Sequence, residues 1–386
     1  MNFSIRVILL LTGFVSLAFS APKFLTISDI HYGAENIAKD GQDTGKEFLD
    51  VTFKRFEELS QNVDFILHLG DLPTHSLFSI PKKEEYEQVV FHGLHEANPG
   101  QKPMFYITGN NDSLLGNYQP FSSDNKSPLN LALDWDGACA YCDGLIIDDT
   151  HMRKDGYYSS YVIPNNKEII LIALNSVQWT KTPVFLPKYP NQQRDAFVQL
   201  FWLEQQLKNH RAKQLLLAMH VPPGTAYNGN RFWHDIYLDR FLTLLDKYHQ
   251  SYDQITILFS HSHMEEFRKI RLSDGSTIYA FSTPGISRAH HNNPGMKIFD
   301  LDKQMRVRNS TTYYTSDLYE WGNEYYQAMN TPDAIFPNCQ NKTIIPQCLD
   351  TLSPEQVCNN LEVGLFYGVK STRVPYQGCI KTYQIN

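Results

Sequence analysis

The stretch Phe24-Leu25-Thr26-Ile27-Ser28-Asp29-Ile30-His31 runs apolar and β-branched up to a carboxylate and an imidazole. It reads as a buried strand that delivers ligand-type side chains at its carboxyl end. The same grammar recurs along the chain. FILHL (65–69) leads into Gly70-Asp71, and MFYIT (104–108) into Gly109-Asn110-Asn111-Asp112. QLLLAM (214–219) leads into His220, and ITILFS (255–260) into His261-Ser262-His263. Runs that are apolar throughout are strands covered on both faces, which predicts an α/β fold. Open α/β sheets place their sites in the crevice beyond the carboxyl ends of the strands. Singly, a DxH, a GD turn or a histidine after a strand is commonplace. In this order, each at a strand end, they describe one crevice for two metal ions. Such ions, roughly 3.5–4 Å apart, polarise a phosphoryl group and make hydroxide available at neutral pH.

The bulk numbers bound the rest. At 386 residues, 42% hydrophobic and 19% charged, the chain suits one large α/β domain with a smaller appendage. A formal net charge of −7 argues against a nucleic-acid-coating surface. A small anionic substrate would meet the metals locally. Arg6, the apolar run Val7 to Phe19 and the small residues Ala18 and Ser20 read as a signal peptide over 1–20. That run is short of the roughly 20 residues a span requires, and no later segment is apolar enough, so stable membrane insertion is not expected. The protein is expected to be secreted, and its six cysteines fit that oxidising setting. Cys139 and Cys142 are expected to pair in a surface loop. Cys339, Cys348, Cys358 and Cys379 leave three pairings open and staple a tail with little core of its own.

Apolar periodicity predicts helices over 46–60 and 191–210, Pro81 followed by acidic Glu84 and Glu85 predicts one after Pro81, and another is expected over 233–248. Further strands are expected over 157–163, 169–174, 278–282 and 296–300. The polar stretch 112–156 reads as an excursion over the mouth of the site. From about Thr311 the chain is aromatic-rich, helix-like at first and then disulfide-stapled. The expected division is a leader (1–20), a catalytic domain (21–310) and a C-terminal extension (311–386). Nothing in the sequence sets the oligomeric state.

A balanced sharing of ligands gives Asp29, His31, Asp71 and His263 to one ion and Asp71, Asn110, His220 and His261 to the other, with Asp71 bridging. Imidazole with carboxylate suits zinc, or iron or manganese, rather than magnesium or calcium. Each ion would keep an open position for water.

This order of motifs resembles the calcineurin-like metallophosphoesterase superfamily, whose pattern is DxH, GD, GNH(D/E), H and GHxH. The nearer likeness is to acid sphingomyelinase-like phosphodiesterases. It is carried by GDLPTH (70–75), ALNS (173–176), FWLEQQL (201–207), HVPPG (220–224), HSHMEEF (261–267) and NPG (293–295). The resemblance implies a four-layer sandwich, two mixed β-sheets flanked by helices. It implies the same ligand assignments and matches His75 to a histidine acting near the leaving group. One departure matters: Asn111 stands where most relatives have histidine. An amide cannot donate a proton as imidazolium does, although it can hydrogen-bond a phosphoryl oxygen. The GNND form resembles that of endopolyphosphatases in the same branch. His75 is therefore expected to be the general acid. Thr74 stands where purple acid phosphatases carry tyrosine, GDxVDRG is missing, and so is a GxSxG elbow.

The expected function is a metal-dependent phosphoric ester hydrolase. Acid sphingomyelinase, which the chain resembles, carries an N-terminal lipid-extracting saposin module, and none is expected here because the motif begins soon after the expected cleavage site. A soluble substrate is expected: a nucleotide, a phosphocholine-type diester or polyphosphate. Tyr227, His290 and His291 are expected on the substrate side. The alternatives are a sphingomyelin phosphodiesterase acting on lipid, or a catalytically impaired metal- or phosphate-binding protein of the same fold.

Overall fold

Every apolar run that leads into a ligand-type residue contains a strand in the computed structural model, and these strands close at Ile27, His68, Tyr106, Met219 and Phe259. The structure describes residues 21–34, 39–76, 82–339, 341–373 and 378–385, so the expected leader lies outside it. In chain order come β1 (Lys23–Ile27), α1 (Lys46–Ser60), β2 (Phe65–His68), α2 (Lys83–Glu96) and β3 (Met104–Tyr106). Next are β4 (Cys139–Ala140), β5 (Ile146–Asp148), α3 (Met152–Asp155), β6 (Tyr158–Ile163) and β7 (Asn166–Leu174). Then follow α4 (Gln192–Asn209), β8 (Ala212–Met219), α5 (Asp235–Tyr248), β9 (Tyr252–Phe259), β10 (Phe267–Arg271) and β11 (Thr277–Ser282). The last are β12 (Gly295–Leu301), β13 (Val307–Tyr314), β14 (Tyr325–Gln327), α6 (Ile345–Leu349), α7 (Pro354–Val363), α8 (Cys379–Tyr383) and β15 (Gln384–Ile385).

The strands form two mixed sheets, in the orders β14-β13-β12-β1-β2-β3-β4 and β15-β10-β11-β9-β8-β7-β6-β5. In the first, β1, β2 and β3 are parallel. In the second, β7, β8, β9 and β11 are parallel. Carboxyl ends therefore gather along one edge of each sheet. The two-residue period of a strand sorts its side chains between layers. Leu171, Leu216 and Leu258 join a core containing Phe24 and Leu67 of the first sheet, together with Phe56 of α1 and Phe91 of α2. Their neighbours Ile170, Leu217 and Ile257 pack with Leu203 of α4 and Phe241 of α5. This is a four-layer α/β sandwich with helices on both outer faces.

Three expectations need correction. The stretch 112–156 is more than a polar excursion: it supplies β4 and β5 to the edges of the two sheets and buries Phe121, Leu129 and Trp135. Its polar composition hid these few large anchors. Cys139 and Cys142 do pair, but both are buried rather than in a surface loop. The tail after Thr311 does not start as helix. Residue 310 lies inside β13, whose Val, Thr and Tyr content favours a strand once β12 offers an edge. β10 was not foreseen, and β15 pairs with it, so the end of the chain joins the second sheet. The tail cysteines pair as Cys339–Cys348 and Cys358–Cys379. Among the described residues no helix is long and apolar enough to cross a membrane.

A buried ion pair ties these parts together beside His263. Lys297 of β12 donates to Glu265 and, at 2.6 Å, to the Ser282 carbonyl. Glu265 also accepts from Thr312 at 2.9 Å and Tyr326 at 3.0 Å. Removing one partner strands the other charge in the core. Lys297→Met should cost about 3–5 kcal/mol in denaturant unfolding. A loss below about 1 kcal/mol would show the pair to be dispensable.

A second tie is pH-dependent. His249 follows α5, with Nδ1 2.8 Å from the Asp246 carbonyl and Nε2 2.9 Å from the Asp274 carboxylate. Burial works against its charge, but the Asp246 carbonyl and Asp274 outweigh it and raise its pKa. A raised folded pKa means full stabilisation below the ordinary histidine value and loss as pH rises through the raised one. His249→Asn should therefore lower the melting temperature more at about pH 5.5 than at about pH 9. Equal losses at both would rule out a charge contribution.

Candidate metal centre

The strand ends turn sharply. Asp29 (φ 49°), His31 (46°), Asp71 (60°), His261 (71°) and His263 (62°) all adopt left-handed backbone conformations. Asp and His enter this region more readily than most residues, and strain of this kind gathers at functional sites. Two glycines let the loops after β2 and β3 touch. A Cβ on Gly70 (φ 91°) would lie 2.4 Å from the Gly109 nitrogen, and one on Gly109 would lie 2.2 Å from Asp71 Oδ1.

The result is a buried cluster drawn from both sheets. Asp29 Oδ1 lies 3.6 Å from His31 Nε2, 3.7 Å from His220 Nε2 and 3.3 Å from His263 Nε2. Asp71 Oδ2 lies 3.5 Å from His31 Nε2 and 3.2 Å from His220 Nε2. Asp71, His220 and His261 offer ligand atoms within 4.8 Å of one another, as do Asp29, His31 and Asp71. Asp71 belongs to both groups, the position of a bridge. Backbone carbonyls set the rings. Nδ1 of His31 donates to Pro73 (2.9 Å), that of His220 to Leu69 (2.7 Å) and that of His263 to Ser287 (3.1 Å). In the neutral rings each Nε2 is then the lone-pair nitrogen, and it faces inward. Asn110 gives its amide N–H to Asn117 at 2.8 Å, which leaves its oxygen for the cluster. Ser260 and the His261 N–H hold the outer oxygen of Asp29.

These atoms fit metal ions. Asp29 Oδ1, His31 Nε2, Asn110 Oδ1 and His220 Nε2 are buried with no hydrogen-bond partner, a costly condition unless a cation satisfies them. The charges agree. Burial would raise the Asp29 carboxyl, but His263 and His220 hold it well below the usual range. Burial lowers His31, yet the facing carboxylates of Asp29 and Asp71 lift it to about 9. His220 is lifted to about 10 against its burial by Asp71 and Asp29. The carboxylates thus hold protons on these rings, and a metal ion takes their place only by displacing them. His261 goes the other way, to about 3, through burial and the charge of His220.

A different chemistry lies at one flank. His75 stacks on His31, ring centroids 3.7 Å apart, with Nδ1 2.8 Å from Asp43 Oδ1. Asp43 also accepts from the His75 N–H (2.7 Å), Thr74 (2.6 Å) and Ser287 (3.0 Å). Burial and the charge of His31 lower the His75 pKa. His75 lines a cavity of about 110 Å³ with Lys83, Tyr86, Asn111, Leu186 and Pro187. Asn111 turns its amide toward Asp71, donating to Oδ2 at 2.9 Å while its backbone N–H donates to Oδ1 at 2.7 Å. In this arrangement it orients the carboxylate.

Not every expected residue joins the cluster. His290 does, 4.5 Å from the His263 ring. His291 turns away to Asp40, with Nδ1 3.0 Å from its carboxylate, and Tyr227 is 48% exposed with its backbone against Gly378. Sequence reading missed Asp43, which no motif flags. It also passed over Asp112, the last letter of GNND. Asp112 accepts from the backbone N–H groups of Asp71 (3.1 Å), Leu72 (2.8 Å) and Gly109 (2.7 Å) and from Tyr106 (2.7 Å).

Residues 22–265 match the family model described as calcineurin-like phosphoesterase, and the chain belongs to this family. That family is built around a dinuclear metal centre. The chain is 24% identical over 307 residues to sphingomyelinase phosphodiesterase D of Dictyostelium discoideum, covering 74% of this chain and 65% of that protein. It is 22% identical over 286 residues to sphingomyelin phosphodiesterase B of the same organism, covering 70% of this chain and 41% of that protein. It thus spans less than two thirds of either relative. Among solved structures, a dimetal phosphatase from Danio rerio aligns with a TM-score of 0.49 at 15% identity, covering 77% of this chain and 96% of that one.

His220→Ala should cut the metal content of purified protein by about one ion per chain, measured by elemental analysis. Unchanged content would remove His220 from the ligand set.

Proposed function

We propose that Asp29, His31, Asp71 and His263 hold one divalent ion and that Asp71, Asn110, His220 and His261 hold a second. Zinc is the best match to this donor set, with iron or manganese next. When bound, such ions supply Lewis acidity toward a phosphoryl oxygen and water acidic enough to attack at neutral pH. The residues do the rest. Asp29 and Asp71, locked by Ser260, the His261 N–H and Asn111, keep the ligand atoms in place before substrate arrives. Asp43 fixes the His75 ring through Nδ1, so Nε2 is the nitrogen that delivers a proton to the leaving oxygen. The cavity beside His75 and Asn111 receives part of the substrate.

The substrate in this reading is a small soluble phosphodiester or phosphoanhydride: a nucleotide, a phosphocholine-type diester or polyphosphate. Paired cysteines support secretion as the setting. The observation that carries the reading is the set of unsatisfied, inward-facing atoms beside the His75–Asp43 pair. Purified protein should hydrolyse at least one of bis-nitrophenyl phosphate, ATP, CDP-choline and polyphosphate in a zinc-dependent way. Hydrolysis of sphingomyelin alone would replace the soluble substrate with a lipid, and no hydrolysis of any would leave a binding protein.

The acid role has its own test. His75→Ala should lower turnover roughly 10²–10⁴-fold with a poor leaving group and much less with nitrophenolate. Asp43→Asn should move both rates in the same sense by a smaller factor. Equal losses on both leaving groups would take the proton-transfer role from His75.

A further inference from the structure

A turn on the rim of the site breaks the usual chemistry of turns. Leu186 N–H donates to the Pro183 carbonyl at 2.9 Å, which puts Val184 and Phe185 at the two corners. Corners normally carry Gly, Pro, Asn, Asp or Ser, each for a conformational or hydrogen-bonding reason. Here they carry large apolar side chains, and these face water: Val184 is 102% exposed and Phe185 81%.

The turn is held firmly from behind. Prolines at 183 and 187 restrict its backbone. Lys181 N–H donates to the Phe232 carbonyl, and the Gln119 amide to the Pro187 carbonyl, both at 2.8 Å. Leu186 packs on Tyr118, Val177 and Tyr189, and the Tyr118 hydroxyl lies 3.4 Å from His261 Nε2. Leu186 and Pro187 then form a wall of the cavity that holds His75 and Asn111, and Leu115, 52% exposed, lines it too. An apolar strip therefore leads from the exposed corners to the reaction centre. Exposed cations bracket it: Lys188 on one side, and on the other Lys181, which lies 3.7 Å from Asp235.

We infer that the Val184–Phe185 turn is an interfacial anchor that seats the mouth of the site on a lipid bilayer, with Lys181 and Lys188 toward anionic headgroups. The shape favours a bilayer over a protein partner. A stable protein interface buries roughly 1,200–2,000 Å² over a broad patch, whereas a small rigid apolar point suits a fluid medium that closes around it. Shallow insertion with flanking cations gives reversible peripheral binding, distinct from spanning. The cavity would then open at the headgroup level, where amphiphilic phosphodiesters and soluble ones both arrive. The inference goes beyond the hydrolytic reading and needs no turnover to test.

The full protein is sedimented with vesicles of phosphatidylcholine alone and with about one fifth phosphatidylserine. Wild type should co-sediment, more strongly with the anionic vesicles. The Val184→Ser, Phe185→Ser double variant should bind roughly tenfold more weakly or less still, while cleaving bis-nitrophenyl phosphate at the wild-type rate. Lys181→Gln with Lys188→Gln should remove only the extra binding to anionic vesicles. Wild type that stays in solution, or a serine variant that binds as well as wild type, overturns the anchor. So does concentration-dependent self-association, lost in the serine variant, without vesicle binding. Vesicle binding that depends on Val184 and Phe185 in a protein without hydrolytic activity would sink the proposed function and keep the anchor.

Discussion

Two carboxylates buried among imidazoles dominate this molecule. Asp29 and Asp71 face the Nε2 atoms of His31, His220 and His263 at 3.2–3.7 Å, with no water-facing escape for their charge. Two carboxylates buried so close together are stable only among cationic partners, whether protonated rings or metal ions. Much of the nearby structure serves that constraint. Carbonyls of Leu69, Pro73 and Ser287 set the ring tautomers, and Ser260 and Asn111 fix the carboxylates. The strained left-handed residues at the strand ends are a cost of the same convergence.

The sandwich explains how distant segments meet. β1, β2 and β3 bring Asp29, His31, Asp71 and Asn110 from one sheet, and β8 and β9 bring His220, His261 and His263 from the other. The two sheets share the core between them, so their edges are held in register by the packing of Phe24, Leu67, Leu171, Leu216 and Leu258. The Lys297–Glu265 pair adds a polar lock two residues beyond His263, drawing β12, β13 and β14 onto the loop that carries it. The tail, through β15, completes the second sheet.

The flank toward His75 differs in character from the cluster. Its ring is held by a carboxylate rather than by a carbonyl, and it borders a cavity with apolar walls. Asn111 marks the departure from the common motif. Its amide is committed to Asp71, which leaves His75 as the imidazole at this edge that borders the cavity. The exposed Val184–Phe185 turn continues the apolar wall outward, so the flank proposed to meet the leaving group is also the one proposed to meet a lipid surface.

The sequence was most legible where pattern and chemistry coincide. Apolar runs ending in Asp, Asn or His announced both strands and site, because a strand covered on both faces is apolar along its length and polar ends repeated in this order converge on one crevice. It was least legible where function depends on a neighbour in space. Asp43 sits in a Gly- and Asp-bearing loop that any surface turn resembles, and only the fold brings it to His75. Polar composition concealed the burial of Trp135 and Cys139, and β13 became a strand because β12 offered it an edge. His290 and His291 are adjacent in sequence, yet a left-handed backbone at His291 sends one ring to His263 and the other to Asp40. By itself the sequence determined the alternation of strands and helices and the residue types at the strand ends, since these follow from local periodicity and side-chain chemistry. Only the tertiary structure decided which imidazole nitrogen faces inward, which acid positions His75 and which turn is left exposed at the rim, because each depends on contacts between segments far apart along the chain.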